Sequence, residues 1–112
     1  MEWLTPWYSI AHEAEQAAAM VRELYRELGD GHQLYGLTLQ AVGRRVDCDD
    51  VLFAINDGSE RVAVVHLTWV RSPPDRPPWP ITSVYRNFAD WMVNRMVRDH
   101  QDRLNVAPEA DD

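Results

Sequence analysis

The fold is decided by residues 50–70, which read DVLFAINDGSERVAVVHLTWV. Apolar runs at 50–55 and 61–70 flank the polar stretch 56–59, whose asparagine, aspartate and glycine favour a tight turn. These features predict a β-hairpin. A third strand is expected at 37–46, where polar and apolar residues mix, with a turn at 47–49. The sequence therefore predicts a three-stranded antiparallel β-meander.

Both faces of the last predicted strand are apolar, because Val62 and Val64 alternate with Ala63 and Val65. A sheet with one face in water alternates more sharply, so we expect both faces to be covered. Either two helices divide between the faces or a second copy of the chain covers one of them. A homodimer therefore stays open.

An amphipathic helix is predicted before the meander. It begins at Thr5-Pro6 or Ser9, which suit the first turn of a helix, and it ends before Gly29. Apolar residues recur between these limits at steps of three and four, so one face of the helix is buried. Polar residues, Glu27 among them, fall on the opposite side and are expected to face water.

A second helix is predicted from about residue 83 to 100, with Trp91 at the edge of its buried stripe. Five of the seven prolines lie in 71–82, which we expect to be a stiff, extended loop. Residues 104–112 are acidic and poor in apolar side chains, so a disordered tail is expected there. The prediction is a single α+β domain over residues 1–103, with an N-terminal helix, the meander, the proline-rich loop and a C-terminal helix.

The charge balance restricts the class of partner. Eighteen acidic residues against eleven basic ones, all of them arginine, give a formal net charge of −7. Nucleic acids and anionic membrane surfaces attract basic proteins, so neither is an expected partner, whereas a basic protein is. No run reaches the roughly 18 apolar residues of a membrane span, and the first residues lack the pattern of a signal peptide. With Cys48 as the single cysteine, we expect a cytoplasmic protein.

A histidine and an aspartate are expected to meet at one end of the sheet. For hairpin loops of two or four residues, Asp49, His66 and Thr68 share a face, because side chains alternate along a strand. A carboxylate beside an imidazole builds an acid–base pair, so His66 with Asp49 supports a small hydrolase as an alternative function. The same pair is also a common way to hydrogen-bond a histidine at a sheet end, and this structural role is the favoured interpretation.

Three neighbouring acids, Asp47, Asp49 and Asp50, raise the question of a metal site. Carboxylates bind magnesium, and His66 adds a nitrogen ligand suited to zinc or manganese. However, consecutive residues on a strand point to opposite faces, and the two arginines just before this run can neutralise it. We therefore expect no dedicated metal site and no cofactor, and metal assistance belongs only to the hydrolase alternative.

Tryptophan gives the best indication of a binding surface. The chain has five tryptophans in 112 residues, and tryptophan is enriched where proteins recognise partners. One tryptophan ends the hairpin, one lies between prolines and one flanks the stripe of the second helix. The candidate binding residues are Trp69, Trp79 and Trp91, with Asp47, Asp49 and Asp50 supplying negative charge.

Three segments carry a family resemblance: DDVLF at 49–53, VAVVHLTW at 62–69 and PPWP at 77–80. Together they resemble a small bacterial family of hypothetical proteins, over residues from about 32 to 91. The resemblance implies a bacterial cytoplasmic protein. It brings no function and no catalytic residue.

The sequence thus favours a small acidic, non-enzymatic binding protein, such as a regulator, an inhibitor or an immunity-type protein. It is expected to recognise a protein partner through an aromatic and acidic surface, and the acidic charge balance favours a basic partner. Two alternatives stay open: the hydrolase built on His66 and Asp49, and a module that binds a small ligand.

Overall fold

The structure, a computed structural model, describes residues 2–70, 76 and 78–106. In chain order the elements are β1 (Trp7–Ser9), α1 (Ala14–Glu27), β2 (Leu39–Arg45), β3 (Asp50–Ile55), β4 (Val62–His66), β5 (Thr82–Tyr85) and a C-terminal helix. That helix, here α2, consists of an α-helical turn (Phe88–Trp91), a π-helical segment (Met92–Met96) and a longer α-helical part (Val97–Val106).

The strands form one antiparallel sheet in the order β1-β2-β3-β4-β5. The prediction of a three-stranded meander is therefore wrong. Its three strands are present as β2, β3 and β4, and one further strand pairs along each edge. Trp7 of β1 lies opposite Arg45 of β2, and Thr82 of β5 lies opposite Val65 of β4.

The two edge strands occupy positions that the sequence pattern assigned to the beginnings of the two helices and, at Thr82, to the proline-rich loop. Strands of three and four residues are too short to show a periodic pattern, and the neighbouring strand supplies their backbone hydrogen bonds. The helices accordingly begin later than predicted. The first starts at Ala14 rather than at Thr5-Pro6 or Ser9, and the second at Phe88 rather than near 83.

Each face of the sheet is covered by one helix. Leu24 and Leu28, in and just after α1, pack in one buried cluster with Phe53 of the sheet. Trp91 and Met96 of α2 lie in the cluster on the other side. Both faces are thus covered within a single chain, so the apolar faces of the sheet do not require a second copy.

The C-terminal part of the chain differs from the predicted tail at its start. The helix continues to Val106, so residues 104–106 are helical. The rest of the predicted tail, 107–112, lies outside the described residues, as do 71–75 and 77 of the proline-rich loop. Within the described part, no helix combines the length and the apolar character needed to cross a membrane.

Tight packing at Gly43 gives a first testable prediction. A β-bulge between Ala41 and Gly43 shifts the register of β2 against β3. A Cβ atom on Gly43 would lie 2.6 Å from the Trp3 indole and 3.2 Å from the Tyr8 carbonyl oxygen. We expect Gly43→Ala to lower the free energy of unfolding by about 1–3 kcal/mol, because the indole has to move.

Urea denaturation of the two proteins measures this difference. Gln40→Ala, at an exposed position of the same strand, is the matched control and should stay within about 0.5 kcal/mol of the wild type. Equal urea midpoints for Gly43→Ala and the wild type would show that the Trp3 indole leaves room for a Cβ atom at position 43.

Candidate functional site

Two of the three candidate tryptophans lie on the surface. Trp69 is 44% exposed and Trp79 is 50% exposed. Val70 and Ile81, which neighbour them in sequence, are also exposed. The two segments lie side by side, because the His66 amide donates to the Ile81 carbonyl oxygen at 3.0 Å. We call Trp69, Val70, Trp79 and Ile81 the tryptophan patch.

A buried carboxylate of α1 fixes the backbone of Trp69. Trp69 has a φ of 57°, in the left-handed region that large residues rarely adopt. Its amide donates to Glu27 Oε2 at 2.9 Å, and the Thr68 amide donates to Glu27 Oε1 at 2.9 Å. Successive amides in such a turn form a nest that binds an anion. The backbone of Thr68 and Trp69 is therefore held by a buried carboxyl group of α1.

Glu27 titrates close to neutral pH. It is 1% exposed, and burial, followed by a hydrogen bond with Glu23, raises its pKa from 4.5 to about 7, although the Thr68 and Trp69 amides act in the opposite direction. The polar position of Glu27 on the helical pattern predicted a water-facing side chain. The nest explains why the structure buries it instead.

His32 holds the segment that carries Trp79. It is buried, and its Nδ1 accepts the Leu34 amide at 3.0 Å, which places the ring proton on Nε2. Nε2 then donates to the Pro80 carbonyl oxygen at 2.9 Å. On the other side, the Trp79 amide donates to the Arg76 carbonyl oxygen at 2.8 Å. Both tryptophans of the patch therefore stand on backbone that is hydrogen-bonded in place.

A cavity of about 300 Å³ opens beside the patch. Thr68, Val70, Arg76 and Trp79 line it. Pockets for drug-sized ligands run from roughly 300 to 1,000 Å³, so this one fits a side chain or a small molecule. Its described lining is mainly apolar, with the Arg76 guanidinium as a hydrogen-bond donor.

Asp49 lies next to the strand that leads into the patch. Its carbonyl oxygen accepts the Leu67 amide at 3.1 Å. The side chain is half-buried, and its carboxylate makes no ion pair or hydrogen bond with any residue of the described ranges. Asp49 therefore carries a carboxylate without a partner among the described residues, on the segment that is bonded to Leu67, two residues before Trp69.

The other candidates for partner contacts are placed differently. Trp91 is fully buried, with its ring 5.2 Å from that of Trp7 and 5.6 Å from that of Trp3. It cannot contact a partner in this fold. The π-helical segment that follows it changes the phase of the helix, so that Trp91 and Met96, five residues apart, both point into the core.

The two remaining acids are neutralised within the chain. Asp47 bonds Arg45 at 2.8 Å, which lowers the pKa of Asp47. Asp50 is 8% exposed and accepts from Arg95 at 2.9 Å. Neither offers the free charge that the sequence interpretation assigned to it.

His66 pairs with Asp50 and not with Asp49, contrary to the prediction. His66 Nδ1 lies 2.7 Å from Asp50 Oδ1, and the two residues are directly opposite in β4 and β3. The difference comes from the hairpin loop. It comprises the five residues 56–60, an odd number, whereas the prediction considered loops of two and four. A change of one residue in the loop moves every opposite pair by one.

Cys48 completes a cluster with this pair. Cys48, Asp50 and His66 each offer a ligand-type atom, and these atoms all lie within 4.8 Å of one another. Burial raises the pKa of the Cys48 thiol, so it is protonated at neutral pH and is not an activated nucleophile. The cavity beside the patch and a second one of about 430 Å³, between the β-hairpin and the start of α2, are lined by other residues. Neither places a substrate beside His66.

Comparison with known proteins assigns neither a family nor a function to the chain. The chain matches no protein-family model, and neither the curated proteins nor the solved structures gave a match. This result is consistent with the resemblance to a bacterial family without a known function. No residue role is carried over from a relative.

Proposed function

We propose that the protein is a small non-enzymatic binding protein that recognises a basic segment of another protein through the tryptophan patch. The observation that carries this proposal is the pair Trp69 and Trp79, each about half exposed on adjacent, hydrogen-bonded segments. Tryptophan side chains of this kind are typical anchors of protein interfaces. Because the backbone beneath them is already fixed, little conformational freedom is lost when a partner binds.

Charge favours a basic partner. The chain carries a net charge of −7, and Asp49, whose carboxylate has no partner among the described residues, is bonded through its backbone to Leu67, two residues before Trp69. An arginine or lysine side chain gains from both features, since indole faces attract cations and the carboxylate accepts their N–H groups. Arg76, on the cavity wall, supplies donors for a backbone carbonyl of the same segment. The patch thus combines exposed apolar side chains with Arg76 in the adjoining cavity and Asp49 on the neighbouring segment.

Removing Trp79 tests the proposal. We expect Trp79→Ala to weaken partner binding by at least about 2 kcal/mol, roughly thirtyfold, because an exposed anchor of an interface is lost. Affinity capture from native lysate, with bound proteins quantified by mass spectrometry, identifies the partner. Titration of that purified partner against both proteins then measures the change in affinity.

Leu104→Ala is the matched control. Leu104 is 62% exposed on α2, outside the patch, so this variant removes a comparable surface side chain and should bind as the wild type does. Trp69→Ala should behave like Trp79→Ala. If a folded Trp79→Ala protein binds the partner with unchanged affinity, the patch is not the interface.

A further inference from the structure

We propose that Cys48, Asp50 and His66 form a binding site for Zn²⁺ and chemically similar cations. The three side chains come from the turn before β3, from the first residue of β3 and from the last residue of β4. Their ligand-type atoms lie within 4.8 Å of one another. The site does not share a residue with the tryptophan patch, so it stands or falls independently of the proposed binding function.

The donor set selects the cation. A thiolate, an imidazole and a carboxylate are the three ligand types that zinc takes in proteins, whereas magnesium and calcium prefer oxygen alone. Three protein ligands leave a fourth position open, as in zinc sites that hold a water molecule. The side chain of His66 is 51% exposed, so a cation can reach the imidazole from solvent.

A second layer of contacts orients the carboxylate. Arg95 donates to Asp50 Oδ2 at 2.9 Å, which leaves Oδ1 directed at the imidazole. Arg95 is itself held by the Asp99 carboxylate at 3.2 Å and by the Tyr85 hydroxyl at 3.3 Å. Asp99 also offsets the positive charge of Arg95 close to the site. Such outer contacts are the usual support of metal ligands.

Binding replaces protons with the cation. His66 Nδ1 and Asp50 Oδ1 are hydrogen-bonded at 2.7 Å, and they must separate to about 3.4 Å to bind one tetrahedral zinc ion with bonds of about 2.1 Å. Rotation of the half-exposed His66 ring provides this movement. The proton on His66 Nδ1 is released and the neutral ring is protonated at Nε2 instead, and the Cys48 thiol gives up its proton to solvent as the zinc–sulfur bond forms.

Titration of the purified full chain with Co²⁺ tests the site, because cobalt reports its ligands in the absorption spectrum. We expect one ion to bind per chain, with the visible bands of a tetrahedral ion and a near-ultraviolet thiolate-to-cobalt band that Zn²⁺ removes by competition. Cys48→Ser should abolish the thiolate band, and His66→Gln should weaken binding at least about tenfold. His12→Gln, which changes an exposed histidine outside the cluster, should bind as the wild type does.

Circular dichroism of each variant shows whether it is folded, and half-exposed His66 and the turn residue Cys48 are not needed to fill the core. Absence of saturable Co²⁺ binding to the wild type would overturn the proposal. So would equal affinities for the wild type, Cys48→Ser and His66→Gln, or loss of binding in His12→Gln.

Discussion

Trp91→Ala should lower the free energy of unfolding by about 3–5 kcal/mol, the range measured when a buried tryptophan or phenylalanine is truncated. The indole is fully buried and packs against Trp7 and Trp3. Its loss leaves a cavity beneath α2 that the two remaining tryptophans, Trp3 and Trp7, cannot close. Chemical denaturation followed by far-ultraviolet circular dichroism measures the change without relying on tryptophan fluorescence.

Two controls separate burial from the mere loss of a tryptophan. Trp91→Phe keeps an aromatic ring and removes an indole N–H that has no hydrogen-bond partner among the described residues, so it should cost less than Trp91→Ala. Trp79→Ala removes an exposed indole and should stay within about 0.5 kcal/mol of the wild type. Equal, small losses for Trp91→Ala and Trp79→Ala would contradict the placement of Trp91 in the core.

Glu27→Gln should remove a pH dependence of stability that the wild type shows between about pH 4.5 and 7. The pKa of Glu27 is raised from 4.5 to about 7 by burial and by Glu23. Between these values the folded protein keeps a proton that the unfolded chain has released. The stability due to this group is therefore fully present below pH 4.5 and is lost as the pH rises towards 7.

A shift of this size corresponds to a loss on the order of 3 kcal/mol across the window. Glutamine has the same shape as the protonated acid, since its amide oxygen accepts from Thr68 and Trp69 and its NH₂ group donates to Glu23. The measurement is the free energy of unfolding of both proteins at several pH values. The wild type should lose stability relative to Glu27→Gln as the pH rises, and a constant difference would show that Glu27 is not a buried, neutral acid near pH 5.

The middle of the fold could be predicted from the sequence, and its edges could not. Strands β2 to β4 and both helices have patterns long enough to show a period, so their existence follows from the residues. The segments 7–9 and 82–85 are too short for this, and they become strands because the outer strands of the meander present unpaired backbone groups. The pattern of a short segment does not show which strand will pair with it.

For the site residues, too, some features could be predicted from the sequence and others could not. The pairing of His66 with a carboxylate could be predicted, but the choice of Asp50 over Asp49 depended on the parity of one loop. Burial of Glu27 depends on amides that lie 41 and 42 positions further along the chain. The polarity of Glu27, taken alone, predicted a side chain that faces water. Trp91 and Met96 both reach the core because a π-helical segment joins them, a feature that periodicity does not reveal.

Site-directed photo-crosslinking tests the binding proposal most directly. A photoreactive phenylalanine derivative replaces the exposed Ile81 of the patch in the full chain, which keeps both tryptophans, and a second protein carries it at the exposed control position 104. Both are irradiated in native lysate, and the crosslinked products are identified by mass spectrometry. The tryptophan patch predicts a discrete, basic protein that crosslinks from position 81 and not from position 104. The same products from both positions, or products from position 104 alone, would contradict it.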